Sequence, residues 1–555
     1  MFTNSNTMYE VTIIYNKADH FGLEHDANVL KHNLSGYARL KTIDPLEHPS
    51  QTDINIHLEV PIYSHVPWAT YNIFIMNPEC YKDAWDPYMK HFDIIITKEE
   101  LGVPNAFVLP WIMLSFPKTV VEKKKEFLYL VGHSVNKKKF AEMLLPFWKE
   151  SYPTLHVYST MPLDVVGNVK LYVEDLTKEK RLNLLQTYEG HICCSMAEGF
   201  GYSAAEAEYV EAFTILNTLS VYKQAYQTNV FWLDTPQQKS AQYPYAFFAE
   251  SINNLDLDSA IEAFKNYVPS PTNYEKKQVD FRYKLMKILD TLSPRQKMKN
   301  LPPILDRNNC PEISVITLIY NRRRFIDLAR HNLLLTDYPK EKIQWVIVDD
   351  SDDINEQASD KIIQTQTQFT GMDICYVPLL KKTPISQKRN IGVERSTNDI
   401  ILFMDDDDHY PETSFRRRVA WLTKHPLKPK CVACTTIACY DLVTGVSAVN
   451  CPPLDLPLGQ RISEATLTFY KSWFEERNFE KNIQVGEGEP LVKGREDQVL
   501  EILPQQIIVA FSHGKNTSSR RIPSTEDVTP SCFWGFHPEF LKFVHSLAGI
   551  TVVNS

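Results

Sequence analysis

Apolar positions in this chain fall into short, nearly continuous runs separated by amphipathic stretches, the pattern of buried parallel strands alternating with helices. In the first half, Tyr9–Tyr15, Tyr37–Ile43, Ile54–Val60, Tyr71–Met76 and Phe92–Thr97 read as strands, with a helix over Gly22–Leu34. A basic, polar connector, Lys118–Glu126, follows Val108–Trp111. A second strand series then runs through Phe127–Val131, His156–Ser159, Val169–Val173, His191–Ser195, Phe213–Leu216 and Val230–Leu233. This alternation predicts an α/β chain with two Rossmann-like units over residues 1–115 and 116–295. Residues 251–298 read as helical, 296–310 as a linker marked by Leu301-Pro302-Pro303, and 311–555 as a third α/β unit opening with the run Ile313–Tyr320.

Composition narrows the function classes. A chain of 555 residues exceeds one hydrophobic core and fits two to four domains. A formal net charge of −9 argues against nucleic-acid binding. The first residues lack a basic segment followed by an apolar one, and no apolar run reaches membrane-spanning length, so the expectation is a soluble cytoplasmic protein, in host cytoplasm or virion if the source is viral. Cys431-x-x-Cys434 with Cys439 lies in a strand-like segment with no second pair at zinc-ribbon spacing, and reads as structural.

The most informative feature is Asp405-Asp406-Asp407-Asp408, directly after the apolar run Ile400–Met404. Four adjacent carboxylates repel one another, so their placement at the mouth of a buried strand points to an oxygen-preferring divalent cation. The alternative is a solvated acidic turn capping a helix near Glu412. A second acidic strand end, Asp349-Asp350-Ser351-Asp352-Asp353, follows Ile343–Val348, and the basic helix start Ser386–Gly392 lies between the two. Strand ends that neighbour each other in an open α/β sheet converge on one crevice. Acid, base and acid in this order suggest a metal-bridged diphosphate carrying a sugar and a nucleobase.

The order resembles the GT-A fold of inverting family 2 glycosyltransferases, through Tyr320-Asn321-Arg322, Asp349-Asp350-Ser351, Arg389-Asn390-Ile391-Gly392 and Asp405-Asp406-Asp407 with Pro411 behind. That resemblance covers about residues 311–520. It implies donor binding by Tyr320, Asn321, Asp349, Asp350, Lys388, Arg389 and Asn390, with Asp350 on the nucleobase, Asp405 on the ribose and, with Asp407, on the metal, Mn²⁺ or Mg²⁺. It further implies a base in the Glu496-Asp497 pair at a predicted helix start, Asp497 before Glu496, and His513 as a further metal or phosphate ligand. Lys515, Arg520 and Arg521 read as a loop that closes over the diphosphate or as a solvated basic loop.

In the second Rossmann-like unit, Glu198-Gly199-Phe200-Gly201 followed by Glu206 suits a sugar nucleotide at a helix N-terminus. The wider pattern resembles the Glu-x7-Glu motif of retaining GT-B glycosyltransferases of family 4. It implies Glu198 on the donor sugar, Glu206 on the ribose, and Gly132 with Lys137 or Lys138 on the diphosphate. His57 is a candidate facing histidine; the first unit offers only Phe21-Gly22-Leu23 where that family has a double-glycine loop. The expectation is therefore a two-module glycosyltransferase using a nucleoside-diphosphate sugar, UDP-linked, and a glycan or glycoconjugate hydroxyl. The alternatives are a catalytically silent sugar-binding or scaffold protein, and a nucleotidyltransferase. Donor and acceptor specificity would lie in loops such as 451–460 and 531–538.

Overall fold

The computed structural model describes residues 8–18, 22–119, 121–250, 256–295, 301–368, 371–513, 516 and 536–550. Lys515, Arg520, Arg521 and most of the 531–538 loop lie outside the described residues. The chain forms two compact units, one of residues 1–62, 69–83 and 92–297, the other of 63–68, 84–91 and 298–555.

The first unit contains two six-stranded, all-parallel sheets. One has the order Ala38–Ile43, Tyr9–Ile14, Thr52–Leu58, Ala69–Met76, Ile94–Thr97, Phe107–Val108. The other has Val230–Leu233, Phe213–Asn217, Tyr188–Ile192, Lys124–Gly132, Leu155–Ser159, Val169–Val173. In the second sheet the order reverses between Lys124–Gly132 and Tyr188–Ile192, which leaves a crevice at their carboxyl ends. The strand expected over His191–Ser195 lies three residues earlier. Ser195 leaves the ladder because its amide donates to the Asn217 side chain at 3.1 Å and its hydroxyl to the Ala197 carbonyl at 2.9 Å. The expected helical stretch is two helices, Leu257–Lys265 and Tyr274–Leu289, with Pro269 and Pro271 in the break between them. A hairpin of Gln237–Lys239 and Phe247–Ala249 was not anticipated.

The second unit is built on a seven-stranded mixed sheet with the order Asp373–Pro378, Ile343–Asp349, Ile313–Ile319, Ile400–Phe403, Thr468–Tyr470, Cys431–Cys434, Val499–Ile502. All neighbours are parallel except Thr468–Tyr470, which runs against both strands beside it. The switch point falls between Ile313–Ile319 and Ile400–Phe403. The helix Ile385–Arg395 reaches the sheet because Gly392 leaves room for Ile316; a Cβ there would stand 2.6 Å from the Ile316 side chain. A smaller sheet joins Ser447–Asn450, Ile437–Asp441 and Val509–Ser512.

Two short segments from early in the chain complete this unit. Trp68 packs with Trp421, ring centroids 6.1 Å apart, and the Trp85 indole donates to the Leu454 carbonyl at 3.2 Å. Cys431 and Cys434 are buried in their strand, and burial pushes each thiol up to about 12. No helix of the described residues is long and apolar enough to cross a membrane.

Candidate functional site

At the switch point of the seven-stranded sheet, Tyr320-Asn321-Arg322 follows one strand and Asp405–Asp408 the other. Asn321 takes a left-handed backbone conformation, φ 50°, and turns its amide onto Ser351 Oγ at 2.9 Å. Its side chain donates to Asp352 at 2.7 Å, and the Tyr320 hydroxyl reaches the same carboxylate at 3.1 Å.

The four acids differ sharply. Asp405 is half-buried, and its amide donates to the Tyr410 hydroxyl at 2.9 Å. Asp406 is buried; Arg322 Nη1 approaches one oxygen at 3.4 Å, while the other, Oδ2, has no hydrogen-bond partner among the described residues. Burial first, then the neighbouring carboxylates, push its pKa up to about 8 against the opposing charge of Arg322. Asp407 Oδ2 collects Arg322 Nη1 at 2.7 Å, His513 Nε2 at 3.2 Å and Asn516 Nδ2 at 3.3 Å. Asp408 is fully buried and accepts from the Phe511 amide at 3.2 Å. Oxygens of Asp405, Asp407 and Asp408 lie within 4.8 Å of one another, a spacing that could hold a metal ion.

The neighbouring strand end carries Asp349 and Asp350. Asp349 is a loop anchor, accepting from the amides of Ser351 and Ala358 at 3.0 and 2.9 Å and from the Tyr376 hydroxyl at 2.7 Å. Asp350 accepts from the Thr383 amide at 2.8 Å and pairs with the buried Lys388 ammonium, which also donates to the Ile319 carbonyl at 2.8 Å. Burial lowers the Lys388 pKa, opposed by Asp350. At the next residue, Arg389 Nε donates to Glu487 at 2.6 Å, both side chains being almost fully buried. Burial works against the arginine's charge, and Glu487, Asp405 and Glu464 overcome it to raise the pKa. Asn390 serves a structural end, exchanging hydrogen bonds with the Phe479 backbone at 2.9 and 3.1 Å.

Glu464 and Glu487 join this mouth although the sequence reading did not select them. Glu464 precedes the antiparallel strand Thr468–Tyr470, so it lies at the carboxyl end of Ile400–Phe403; the Tyr410 hydroxyl links the two ends by donating to the Ala465 carbonyl at 3.2 Å. Burial and then the charge of Glu487 push the Glu464 carboxyl up to about 7.

Asp497 and Glu496 lie elsewhere, which corrects the expectation for the base. They sit in a single 3-10 turn, Glu496–Gln498, rather than at a helix start. Gln498 accepts from the Lys430 amide at 2.8 Å, Lys430 accepts from the Tyr470 amide at 3.2 Å, and the Lys471 amide donates to Asp399 at 2.6 Å, so the turn is level with the start of Ile400–Phe403. Six extended residues, about 20 Å, separate that level from Asp405. Asp497 pairs there with Lys90.

In the first unit, Gly132, in the left-handed region at φ 57°, ends one of the two strands that flank the second sheet's switch point, and Ser195–Gly201 lie beyond the end of the other. Lys137 Nζ lies 3.7 Å from Glu198 and donates to Ser203 Oγ at 2.8 Å. Gly201, at φ 85°, caps the helix Tyr202–Tyr209 where a Cβ would stand 2.4 Å from Tyr222, and Gly199 lies as tightly against Asn77. Lys138 pairs with Glu142 on its own helix at 2.6 Å. Glu206 is buried and held by both Arg181 nitrogens at 2.5 and 2.6 Å, so its carboxylate faces an arginine rather than an open crevice. His57 is a core residue, fully buried, whose Nδ1 accepts from the Ile62 amide at 3.0 Å; this corrects its candidacy.

Residues 314–480 match the family model described as Glycosyl transferase family 2. The chain carries a family 2 glycosyltransferase domain. This domain contains the Asp350, Lys388, Arg389 and Asp405–Asp408 cluster and Glu464, and its matched span ends before Glu487, Asp497 and His513. Over 114 residues the chain is 22% identical to the poly(ribitol-phosphate) beta-N-acetylglucosaminyltransferase TarS of Staphylococcus aureus, covering 20% of this chain and 19% of that protein. The match thus spans about a fifth of the curated relative's length. Among solved structures, S. aureus TarS 1-349 in complex with UDP-GlcNAc aligns at 16% identity and TM-score 0.30, covering 43% of this chain and 65% of that one. The mannosyltransferase PcManGT of Pyrobaculum calidifontis, in complex with GDP-Man and Mn²⁺, aligns at 15% identity and TM-score 0.29, covering 37% and 58%.

Proposed function

We propose that the second unit is a GT-A-type, inverting transferase that moves a sugar from a nucleoside diphosphate, UDP-linked, to a hydroxyl of a glycan or glycoconjugate in the cytoplasm. The observation that carries this reading is the convergence of Asp350–Lys388, Arg322 and Asp405–Asp408 on one sheet switch point. The residues suit a divalent cation. Among the described residues Asp406 keeps a buried carboxyl oxygen without a partner, and Asp405, Asp407 and Asp408 present closely spaced oxygens, with His513 beside Asp407. When bound, Mn²⁺ or Mg²⁺ would neutralise the diphosphate as it leaves.

The chain's own side chains divide the remaining work. Tyr320, Asn321 and Asp350 border the nucleoside end, with Asp349 holding their loop, and Asp405 faces the ribose. Glu464, rather than Asp497, takes the acceptor proton: it stands at the carboxyl end of Ile400–Phe403 beside the acid run, where Asp497 does not, and burial holds its carboxyl well above the usual carboxylate range. The buried Glu487–Arg389 pair holds the wall behind it. The test is release of nucleoside diphosphate from a panel of sugar nucleotides with Mn²⁺. Release that Asp407→Ala and Glu464→Gln remove and Asp497→Asn leaves intact supports the assignment; release dependent on Asp497 but not Glu464 overturns the base.

For the first unit, the two all-parallel sheets support a GT-B-like pairing of Rossmann units. Lys137 beside Glu198 is consistent with a second, retaining site. The Arg181–Glu206 pair weighs against the ribose contact that such a site would need.

A further inference from the structure

The first unit contains a cavity of about 560 Å³ that none of the roles above uses. Its walls combine Glu79, just beyond the strand Ala69–Met76, Asn136 in the first turn of the helix Val135–Leu144, and Gln238, Gln242, Tyr243 and Phe248 from the hairpin segment. The Tyr243 and Phe248 rings are stacked, centroids 6.4 Å apart. Asn136 Nδ2 donates to Glu79 Oε2 at 2.9 Å, which fixes the amide and the carboxyl as one polar edge.

We propose that this cavity binds a saccharide, without a nucleotide and without transferring it. A sugar ring has a C–H face and a rim of hydroxyls that each donate and accept. The aromatic side chains of Phe248 and of Tyr243, whose ring also carries the Lys82 ammonium at 4.5 Å, suit the face, and side-chain amides beside a carboxyl suit the rim because they too present donors and acceptors together. The volume lies within the roughly 300–1,000 Å³ of small-molecule sites. Burial, then Glu198 and Glu59, push the Glu79 carboxyl up to about 7, so near neutral pH it both donates and accepts. The bidentate closure of Glu206 by Arg181 fits a unit that holds a glycan rather than a nucleoside.

The test applies the full chain to an array of neutral di- to hexasaccharides, with excess UDP and Mn²⁺ present, and measures affinity for the captured glycans by calorimetry. The expected result is binding that Tyr243→Ala and Asn136→Ala each weaken at least tenfold and that Asp407→Ala leaves unchanged. Gln242→Ala, at an exposed position, provides a second variant whose folding is undisturbed and should weaken binding severalfold. Capture of no glycan, displacement by UDP, or loss of binding in Asp407→Ala overturns the proposal. Because the readout is binding, it fails separately from nucleoside-diphosphate release by the second unit.

Discussion

At the mouth of the strand Ile400–Phe403 the acids outnumber the cations that face them among the described residues, where Asp406 Oδ2 has no hydrogen-bond partner. Beyond the strand Tyr188–Ile192 in the other unit, Glu206 is instead closed off by a two-pronged arginine. Both crevices stand at a switch point between parallel strands, so topology does not separate them. Charge balance does. A crevice that leaves buried carboxylate unmatched is unfinished without a cation, whereas one whose acid is already paired offers that acid to nothing else. A shared fold therefore leaves function to be decided by which side chains remain available.

The comparison can be broken most directly through the acids. Asp407→Ala is expected to lower nucleoside-diphosphate release by about two to three orders of magnitude, the scale of removing one charge-stabilising group. Glu206→Gln should leave release unchanged, and a similar loss in both variants would erase the distinction between the crevices. The buried pairs come next. Arg389→Met leaves Glu487 uncompensated and should cost about 3–5 kcal/mol in denaturant unfolding. Arg181 is partly exposed, so Arg181→Met should cost less, about 1–3 kcal/mol.

Arg322 provides a sharper test, because its guanidinium sits on the same oxygen of Asp407 that a cation would approach. Removing that positive charge in Arg322→Ala should tighten Mn²⁺ binding to the nucleotide-free protein by about tenfold, followed by electron paramagnetic resonance of the free ion. Unchanged or weaker Mn²⁺ binding would mean that the arginine does not compete.

The smallest effect concerns protons, and here the units should agree. Glu464 and Glu79 are each raised to about 7, chiefly by burial. The folded protein then holds each proton more tightly than the unfolded chain does. That contribution to stability is full below the unfolded carboxylate value and is lost as pH rises through about 7. Glu464→Gln and Glu79→Gln remove the titration, so each variant's thermal midpoint should rise relative to the parent between pH 5 and pH 8. A midpoint difference that stays flat with pH would contradict the raised values.

Much of this was legible in the residues themselves. The strands Val169–Val173 and Val230–Leu233 and the helix Gly22–Leu34 stand where apolar periodicity puts them, because their burial is written into the alternation of side chains. The acid run, the second acidic strand end and the basic helix between them were also readable, since each follows an apolar run directly and strand ends face the crevice in an open α/β sheet. The Gly486-Glu487-Gly488 context was a signal available for Glu487, whereas nothing local distinguishes Glu464 from an ordinary loop acid. Strand direction was not readable. A run such as Thr468–Tyr470 has the same pattern either way up, and only its antiparallel pairing brings Glu464 to the mouth of Ile400–Phe403 and leaves Asp497 at the far end. The same holds for Arg181 and Glu206, 25 residues apart in the chain, and for Glu79 and Asn136, 57 apart. The sequence by itself determined which segments are strands and where acids end them, because those are local matters of periodicity and burial. Tertiary structure alone decided which acids meet and which are neutralised, because that depends on pairing between residues distant in the chain.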